Sequence, residues 1–351
     1  MKNNYRKLGD YIQPVDIRNS DLKVSHLLGL SIEKCFIESI ANTIGTDFRP
    51  YKIVKKGQFA YGPVTSRNGD KITIALLKEA DACIISSSYS VFEIIDTSKL
   101  LPDYLILCFR RPEFDRYARY KSHGSVREIF DWDEMCRVEL PIPDIREQQK
   151  IVDAYNAITK RIKIKQKINE NLEKTAQTLF EKYFPNIIDN GKNKFEDIID
   201  FSNGKSRPEE VGTIPVFGGN GIMAYTNKSN AENCIAIGRV GAYCGSTYLC
   251  KTKGWISDNA IKAKYKFSEK QYFAYYLLKK SNLFERHIGT GQQLLTQGIL
   301  GMIQLYIPDK EIIDVFNTEC ELIENQRSYN EKELVKLQEL KQMVISRISG
   351  M

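Results

Sequence analysis

The sequence predicts an α/β (α+β) fold with two similar, strand-rich mixed α/β heads, separated by two long helices that pair as an antiparallel coiled coil. The first observation is a repeat: Leu140-Pro141-Ile142-Pro143-Asp144 and Leu305-Tyr306-Ile307-Pro308-Asp309 stand 165 residues apart. The second is a heptad-patterned segment after each copy. The third is a set of short β-rich runs, bounded by glycines, before each copy. The period is too long for a solenoid, so a duplicated module is indicated.

The repeat divides the chain into four segments. We expect head one over 1–143, a first helical spacer over 144–185, head two over 190–307 and a second helical spacer over 308–350. With 42% hydrophobic and 27% charged residues, the 351-residue chain is globular and can bury a core in each head.

Composition also limits the class of protein. The sequence shows neither an apolar signal core nor a run long enough to span a membrane, so we expect a cytoplasmic protein without a membrane partner. The eight cysteines form no CxxC pair, and most sit in apolar runs, which predicts reduced thiols in the cores. The net charge of +7 is compatible with a polyanionic partner without proving one.

The first spacer has the signature of a capped coiled-coil helix. Asp144 is placed to cap the N-terminus, with Glu147 as its capping-box partner. A 3-4 spacing from Ile151 is apolar or aromatic except at Lys165 and Asn169. Some 40 residues at 1.5 Å each predict a rod of roughly 60 Å.

The second spacer repeats this pattern, and its seam is interrupted by Arg327 and Asn330. In an antiparallel pair the midpoints meet, so Lys165 is expected to face Asn330, and Asn169 to face Arg327. Polar seam residues lower stability but fix register, which is our hypothesis for these four. The alternative is a locally shifted frame, in which Ile164 and Ile168 carry the stripe.

The chain resembles the specificity subunit of type I restriction–modification systems along essentially its whole length. The resemblance is carried by these segments: Leu140 to Ile151 before the first spacer; Ala236-Ile237-Gly238-Arg239-Val240-Gly241-Ala242 and Ser257-Asp258-Asn259-Ala260 in head two; the loop from Gly289 to Gly301; and, in head one, Phe59-Ala60-Tyr61, Ile85 to Phe92 and the Gly124 loop. Their duplicated order is more specific than any single motif.

The resemblance implies a non-catalytic subunit whose heads are target recognition domains. Each would read one half of a bipartite, asymmetric site in double-stranded DNA. The spacers would set the separation of the half-sites and dock two methyltransferase (M) subunits, which restriction (R) subunits join. S-adenosylmethionine, ATP and Mg would then belong to the partner subunits, and this chain would need no cofactor. The second spacer departs from the first, with Lys310-Glu311-Ile312-Ile313 where the first has Ile145-Arg146-Glu147-Gln148-Gln149.

In head two, the candidate DNA contacts are basic and amide side chains beside glycines, which allow close approach of a ligand. They are Lys205, Arg207, Arg239, Gln292 and Gln293. A structural salt bridge is the alternative for Arg239, and packing on the helices is the alternative for the glutamines. Asp258-Asn259 fits a turn better than a base contact.

In head one, a hairpin tip and a second polar loop supply the candidates. They are Tyr61, Arg67, Asn68, Lys71, Lys121, Ser125 and Arg127, with Ser66 beside them. Solvation alone would also account for such tips.

Several kinds of chemistry are missing from the sequence. Gly204-Lys205-Ser206 lacks the upstream glycine of a P-loop, because position 199 is Ile199. Gly218-Gly219-Asn220-Gly221 does not fit a dinucleotide fold. The three histidines lack metal-ligand spacing, and no adenine-methylation motif is present. A coiled-coil adaptor that binds protein is the alternative function, and a standalone enzyme with one catalytic head is a third.

Overall fold

The computed structural model describes residues 4–40, 43–66, 69–123, 128–289 and 291–348. The chain forms two compact units. Unit one comprises Met1–Ile164 and Leu334–Met351, and unit two comprises Lys165–Glu333. Within the described ranges, no helix is both long and apolar enough to traverse a bilayer.

Unit one is a strand-rich α/β domain followed by the start of a long helix. Its elements are β1 (Tyr5–Lys7), β2 (Ile12–Val15), β3 (Leu28–Leu30), β4 (Phe36–Glu38), β5 (Lys52–Lys55), β6 (Phe59–Tyr61), β7 (Ile74–Leu76), β8 (Ala82–Ile85), β9 (Ser90–Ile94), α1 (Pro102–Phe109), α2 (Pro112–Lys121), α3 (Trp132–Arg137) and β10 (Glu139–Pro141). Helix α4 (Ile145–Tyr183) begins here and ends in unit two.

The core of unit one lies against a four-stranded sheet of order β2-β9-β6-β7. All three residues of β6 are buried, and the rings of Phe59 and Phe92 stack at 4.9 Å between centroids. The β-rich run of residues 71–74 enters strand β7 only at Ile74, three residues after the run begins. The backbone N–H of Ile72 donates to Asp115 Oδ1 at 3.1 Å, so this part of the run is bonded outside the ladder.

Unit two repeats the arrangement with a larger sheet. Its elements are β11 (Ile188–Lys194), α5 (Phe195–Ile198), β12 (Ile199–Asn203), β13 (Ile214–Gly218), β14 (Gly221–Thr226), β15 (Ala231–Gly238), β16 (Thr247–Ile256), β17 (Ala260–Tyr265), α6 (Tyr272–Lys280), α7 (Gln297–Gly301), β18 (Gln304–Leu305) and α8 (Lys310–Arg347), the last of which ends in unit one.

The six strands of the larger sheet have the order β12-β17-β15-β16-β13-β14. Cys234 to Gly238 of β15 are buried without alternation, as expected for a strand covered on both faces. All eight cysteines belong to the described chain and are unbridged, and six of them are buried.

The repeat seen in the sequence has a structural counterpart. Strand β1 pairs with β10 at Leu140, and β11 pairs with β18 at Leu305, so an antiparallel pair closes each unit just before its long helix. The duplicated, strand-rich fold class predicted from the sequence is therefore confirmed.

The two long helices begin where the sequence predicts. Asp144 caps α4, because its Oδ1 accepts the backbone N–H of Glu147 at 3.0 Å. Glu147 does not complete the box, since its carboxylate accepts from Lys150 at 3.1 Å. At 39 residues, α4 is about 58 Å long.

Within each unit the helices run antiparallel and join the core of the head. In unit two, Tyr183 OH donates to Glu319 Oε1 at 3.1 Å, and Phe180 packs edge-on against Phe316. In unit one, Tyr155 of α4 lies in the same core cluster as Ile345 of α8.

Candidate nucleic-acid interface

Unit two brings the chain segments that carry the predicted head-two contacts to one place. The backbone N–H of Gly204 donates to Ala260 O at 3.1 Å, and that of Arg239 donates to Asn259 O at 3.0 Å. The N–H of Gly241 donates to Gln293 O at 3.0 Å. Four separate loops thus meet where β12, β15 and β17 approach one another.

Lys205 and Arg207 lie on a segment whose main chain is fixed by hydrogen bonds at Lys205. The backbone N–H of Lys205 donates to Ile256 O at 3.0 Å, and the Trp255 indole donates to Lys205 O at 3.1 Å. A Cβ at Gly204 would stand 1.9 Å from Ser257 O, so only glycine permits this approach. Both basic side chains are exposed, and they can reach an anion without disturbing the anchor.

Arg239 occupies the centre of the converging loops. Its backbone carbonyl accepts from Leu295 N at 2.9 Å, while its own N–H bonds to Asn259 O. The side chain is half-buried, and its Nε has no hydrogen-bond partner among the described residues. Among the described residues no carboxylate forms the structural salt bridge considered for Arg239, so this donor is unpaired.

Gln292 and Gln293 lie on a loop that returns to the same place. The backbones of Ile288 and Leu294 form a bridge, and Gly289 has φ of +92° with Gln292 O close by. Gln292 is exposed and Gln293 is half-buried. The five candidates of head two are thus carried by loops that bond to one another.

Sequence reasoning missed the residues that position these loops. Trp255 has a hydrogen-bonding role that only the fold reveals, because its partner Lys205 is 50 residues distant. Ser257 to Ala260 form a turn closed by Ala260 N donating to Ser257 O at 3.0 Å, as expected for Asp258-Asn259.

One head-one candidate is wrong. Tyr61 is fully buried, and its ring packs edge-on against Phe92 and Phe130, so it belongs to the core. Burial raises the pKa of the Tyr61 phenol to about 12. A buried β-strand and an exposed recognition strand share an aromatic-rich pattern, which explains the error.

Other head-one candidates have surface partners or lie outside the described residues. Lys71 Nζ is 3.0 Å from Glu33 Oε1, and Lys121 Nζ lies 5.8 Å from the centroid of the Tyr120 ring. Arg67, Asn68, Ser125 and Arg127 fall outside the described ranges. The segments that flank them are joined, because Thr65 N donates to Glu128 O at 3.0 Å.

Polar residues occupy the helix interface of unit two where the sequence places them. Lys165 Nζ donates to Asn330 Oδ1 at 3.0 Å and pairs with Glu333 Oε2 at 2.9 Å. Asn330 is fully buried, and its Nδ2 donates to Asn169 Oδ1 at 2.8 Å. In unit two Ile168 is 38% exposed, so it does not carry the stripe. The register-fixing role stays a prediction.

Arg327 differs from the expectation that it would face Asn169. It pairs with Glu173 of α4 and Glu324 of α8. Helical side chains lean toward the N-terminus of their own helix, which carries the long Arg327 side chain one turn further along α4. There a carboxylate offers it a stronger partner than an amide.

Arg327 and Glu324 belong to a buried charge cluster. Glu324 is 4% exposed and accepts from Lys251 Nζ at 2.8 Å and from Tyr276 OH at 3.3 Å. Burial acts to raise the pKa of the Glu324 carboxyl, but the hydrogen bond and charge of Lys251, with the charge of Arg327, hold that pKa below its ordinary value. Burial acts to lower the pKa of Arg327, but the negative charges of Glu324 and Glu173 outweigh burial and hold that pKa above its ordinary value. The cluster ties α8 to β16 and α6.

Across the described residues, no group of three or more His, Cys, Asp or Glu side chains is arranged to hold a metal ion.

Comparisons with known proteins agree with this architecture. One family model, the type I restriction modification DNA specificity domain, matches residues 40–174 and 189–331. The chain is 28% identical over 135 residues to the type I restriction enzyme HindI specificity subunit of Haemophilus influenzae, covering 38% of this chain. It is 31% identical over 120 residues to the EcoprrI specificity subunit of Escherichia coli, covering 32% of this chain. These alignments span 29% and 30% of the two relatives.

Solved structures share the fold along the chain. The S subunit of the type I restriction–modification system from M. genitalium superposes with a TM-score of 0.60 at 14% identity, covering 98% of this chain and 95% of that one. A structure described for complex assembly and conformational transition of the type I R-M system gives a TM-score of 0.51 at 15% identity, covering 98% and 96%.

Proposed function

This chain belongs to the type I restriction modification DNA specificity domain family, and we propose that it is the DNA sequence-recognition and scaffold subunit of a type I restriction–modification complex. Each head reads one half of a bipartite, asymmetric target in double-stranded DNA. The chain itself catalyses nothing.

The observation that carries the proposal is the convergence of loops in unit two. Lys205, Arg207 and Arg239 supply positive charge, and Gln292 and Gln293 supply amides on an adjoining loop. Basic side chains position a protein on phosphates, while amides and arginines read base edges. The duplicated family match supports a second reading surface in head one.

We further propose that a methyltransferase subunit docks on an exposed apolar stripe of α8. Val315, Leu322 and Tyr329 recur every seven residues and are 49%, 69% and 63% exposed, with Ile312 beside them at 40%. A heptad stripe that stays exposed on a paired helix fits an amphipathic helix of a partner. Two methyltransferase subunits bind the whole chain, and restriction subunits join that assembly.

The remaining chemistry is assigned to those partners. S-adenosylmethionine, ATP and Mg would bind the methyltransferase and restriction subunits, and this chain would carry no cofactor. We propose that the complex works in the cytoplasm, where its DNA target is.

A protein-binding adaptor without DNA specificity is the alternative, and the same exposed stripe on α8 is what favours it. Salt distinguishes the two functions. Affinity for DNA falls steeply with added salt because phosphate contacts release counterions. The affinity of a partner that docks through an apolar stripe does not fall in this way.

Mapping of methylated adenines tests the proposal directly. DNA from cells that express this chain with its methyltransferase partner should carry one bipartite motif. Exchange of residues 190–307 for those of a relative should change one half of that motif only. Loss of methylation in both the parent and the exchange, or a change in both halves, would contradict modular reading.

A further inference from the structure

The glycine-rich turn of head two does not fit a dinucleotide site, but it has a defined place in the fold. Gly218 and Gly221 pair across the β13–β14 hairpin, and Gly219-Asn220 form its tip. Gly221 has φ of +80°, a conformation that favours glycine. Gly218 and Gly221 are buried, so the tip presents Gly219, which is half-buried, and the exposed side chain of Asn220.

This turn packs on the loop that carries Arg239. A Cβ at Gly219 would lie 3.7 Å from Asn259 O and 4.0 Å from Gly238 Cα. A Cβ at Gly238 would in turn lie 3.0 Å from Gly219 O. The hairpin tip is thus part of the same group of loops as the candidate DNA contacts.

Two large, exposed apolar side chains flank the tip. Met223 is 51% exposed and Tyr243 is 50% exposed. Met223 is the extra residue of a β-bulge, since Phe217 pairs with Ile222 and Val216 pairs with Ala224. Bulges re-aim side chains, and the Met223 Sδ lies 2.7 Å from where a Cβ at Gly218 would stand.

Tyr243 lies beside Gly219 of the tip. Its Cβ lies 3.8 Å from the position of a Cβ at Gly219. Contacts with phosphate need neither of these side chains, because Lys205 and Arg207 already supply charge nearby. Two exposed large side chains beside a narrow turn and positive charge are the composition of a wedge that enters a DNA groove.

Building on the proposed DNA-reading function, we propose that the Gly218–Gly221 turn enters a groove of the target duplex, with Met223 and Tyr243 inserted against a base step. Gly219, which has no side chain, lets the tip approach the groove floor, and the two side chains replace part of the lost base stacking. Head two then reads deformability at this step as well as base edges.

The test uses the full chain in complex with its methyltransferase subunit, and a duplex with the motif mapped for that complex. 2-Aminopurine is placed at successive positions of the half-site read by head two. We expect fluorescence to rise at one step on binding of the wild-type complex. Tyr243→Ala and Met223→Ala should reduce that rise and weaken affinity at least about fivefold.

Matched variants make the result specific. Tyr225→Ala removes a tyrosine of the same hairpin that is 53% exposed and lies opposite Pro215, away from the tip, and should bind as the wild type does. Met223→Leu keeps an apolar side chain and should retain the fluorescence rise. If Met223→Ala misfolds, Met223→Leu and Tyr243→Ala still decide the question.

Failure of this inference differs from failure of the proposed function. The wild-type complex could bind the mapped duplex tightly without any rise in 2-aminopurine fluorescence, and the alanine variants could bind as the wild type does. That result would refute the wedge and leave the proposal of DNA recognition intact. If no duplex is bound in preference to random DNA, both ideas fall.

Discussion

Replacement of Glu324 by glutamine tests whether the buried charge cluster holds the long helices to head two. The Glu324→Gln substitution preserves size and removes the charge. Lys251 and Arg327 then each lose one carboxylate partner. The site is largely closed to water, since Glu324 is only 4% exposed. Removing one partner of a buried pair is destabilising because the remaining charges stay desolvated.

The size of the effect follows from the contacts that are lost. Hydrogen bonds to charged groups contribute about 1.5–3 kcal/mol each, and Glu324 makes such bonds with Lys251 and Arg327. The side chains of these partners are 33% and 20% exposed, so water compensates in part. We therefore expect the free energy of unfolding to fall by about 2–4 kcal/mol at pH 7.

The pH dependence has a definite sign. The pKa of Glu324 is lowered in the folded state, so its stabilisation is fully present above the unfolded pKa of about 4.3. It is lost as pH falls through the folded pKa. Glutamine does not titrate, so the difference between wild type and variant should be constant near neutrality and should shrink below about pH 4.

Trp255 provides the assay. The chain has two tryptophans, and Trp132→Phe leaves Trp255 of unit two as the reporter for urea unfolding. The control is Glu321→Gln on the same helix, whose partner Lys270 is 2.9 Å away in a pair about 40% exposed. It should change stability by less than about 1 kcal/mol. Equal effects of the two substitutions at pH 7 would refute the reasoning.

Three further predictions concern binding and helix register. Lys205→Ala should weaken DNA binding for specific and random duplexes alike and reduce the slope of log affinity against log salt by about one, measured by fluorescence anisotropy. Asn169→Leu with Asn330→Leu should raise the unfolding temperature but allow more than one helix alignment, read out by cysteine cross-linking; a single alignment at unchanged stability would count against register fixing. Leu322→Asp should abolish co-purification of the methyltransferase subunit while leaving the far-UV circular dichroism spectrum unchanged, and retained co-purification would exclude the α8 stripe as its dock.

Patterns with a fixed period were predictable from the sequence. The repeat of Leu140 and Leu305 predicted two similar units, and each copy forms the strand that closes its unit before the long helix. The cap at Asp144 and the polar positions Lys165 and Asn330 were readable because helix periodicity and capping are local properties.

Contacts between distant segments were not predictable in the same way. The bond from Trp255 to Lys205 and the bulge at Met223 depend on strand pairing, which carries no local signal. Tyr61 was misassigned because its strand is aromatic, and only burial separates a core strand from a surface one. Arg327 was placed one turn away from its actual partner because seam spacing ignores the direction in which a long side chain leans.

Main-chain hydrogen bonds anchor the loops that carry the candidate contacts. Lys205 and Arg239 are each held through both the main-chain N–H and the C=O, and Gln293 is held through its C=O. None of these anchors uses the side chain, so replacing the side chain leaves the loop in place. Glycines such as Gly204, by contrast, meet backbone at distances that no Cβ tolerates. We therefore expect the side chains at 239 and 293 to determine the sequence that is read, and Gly204→Ala to disrupt the fold of head two itself.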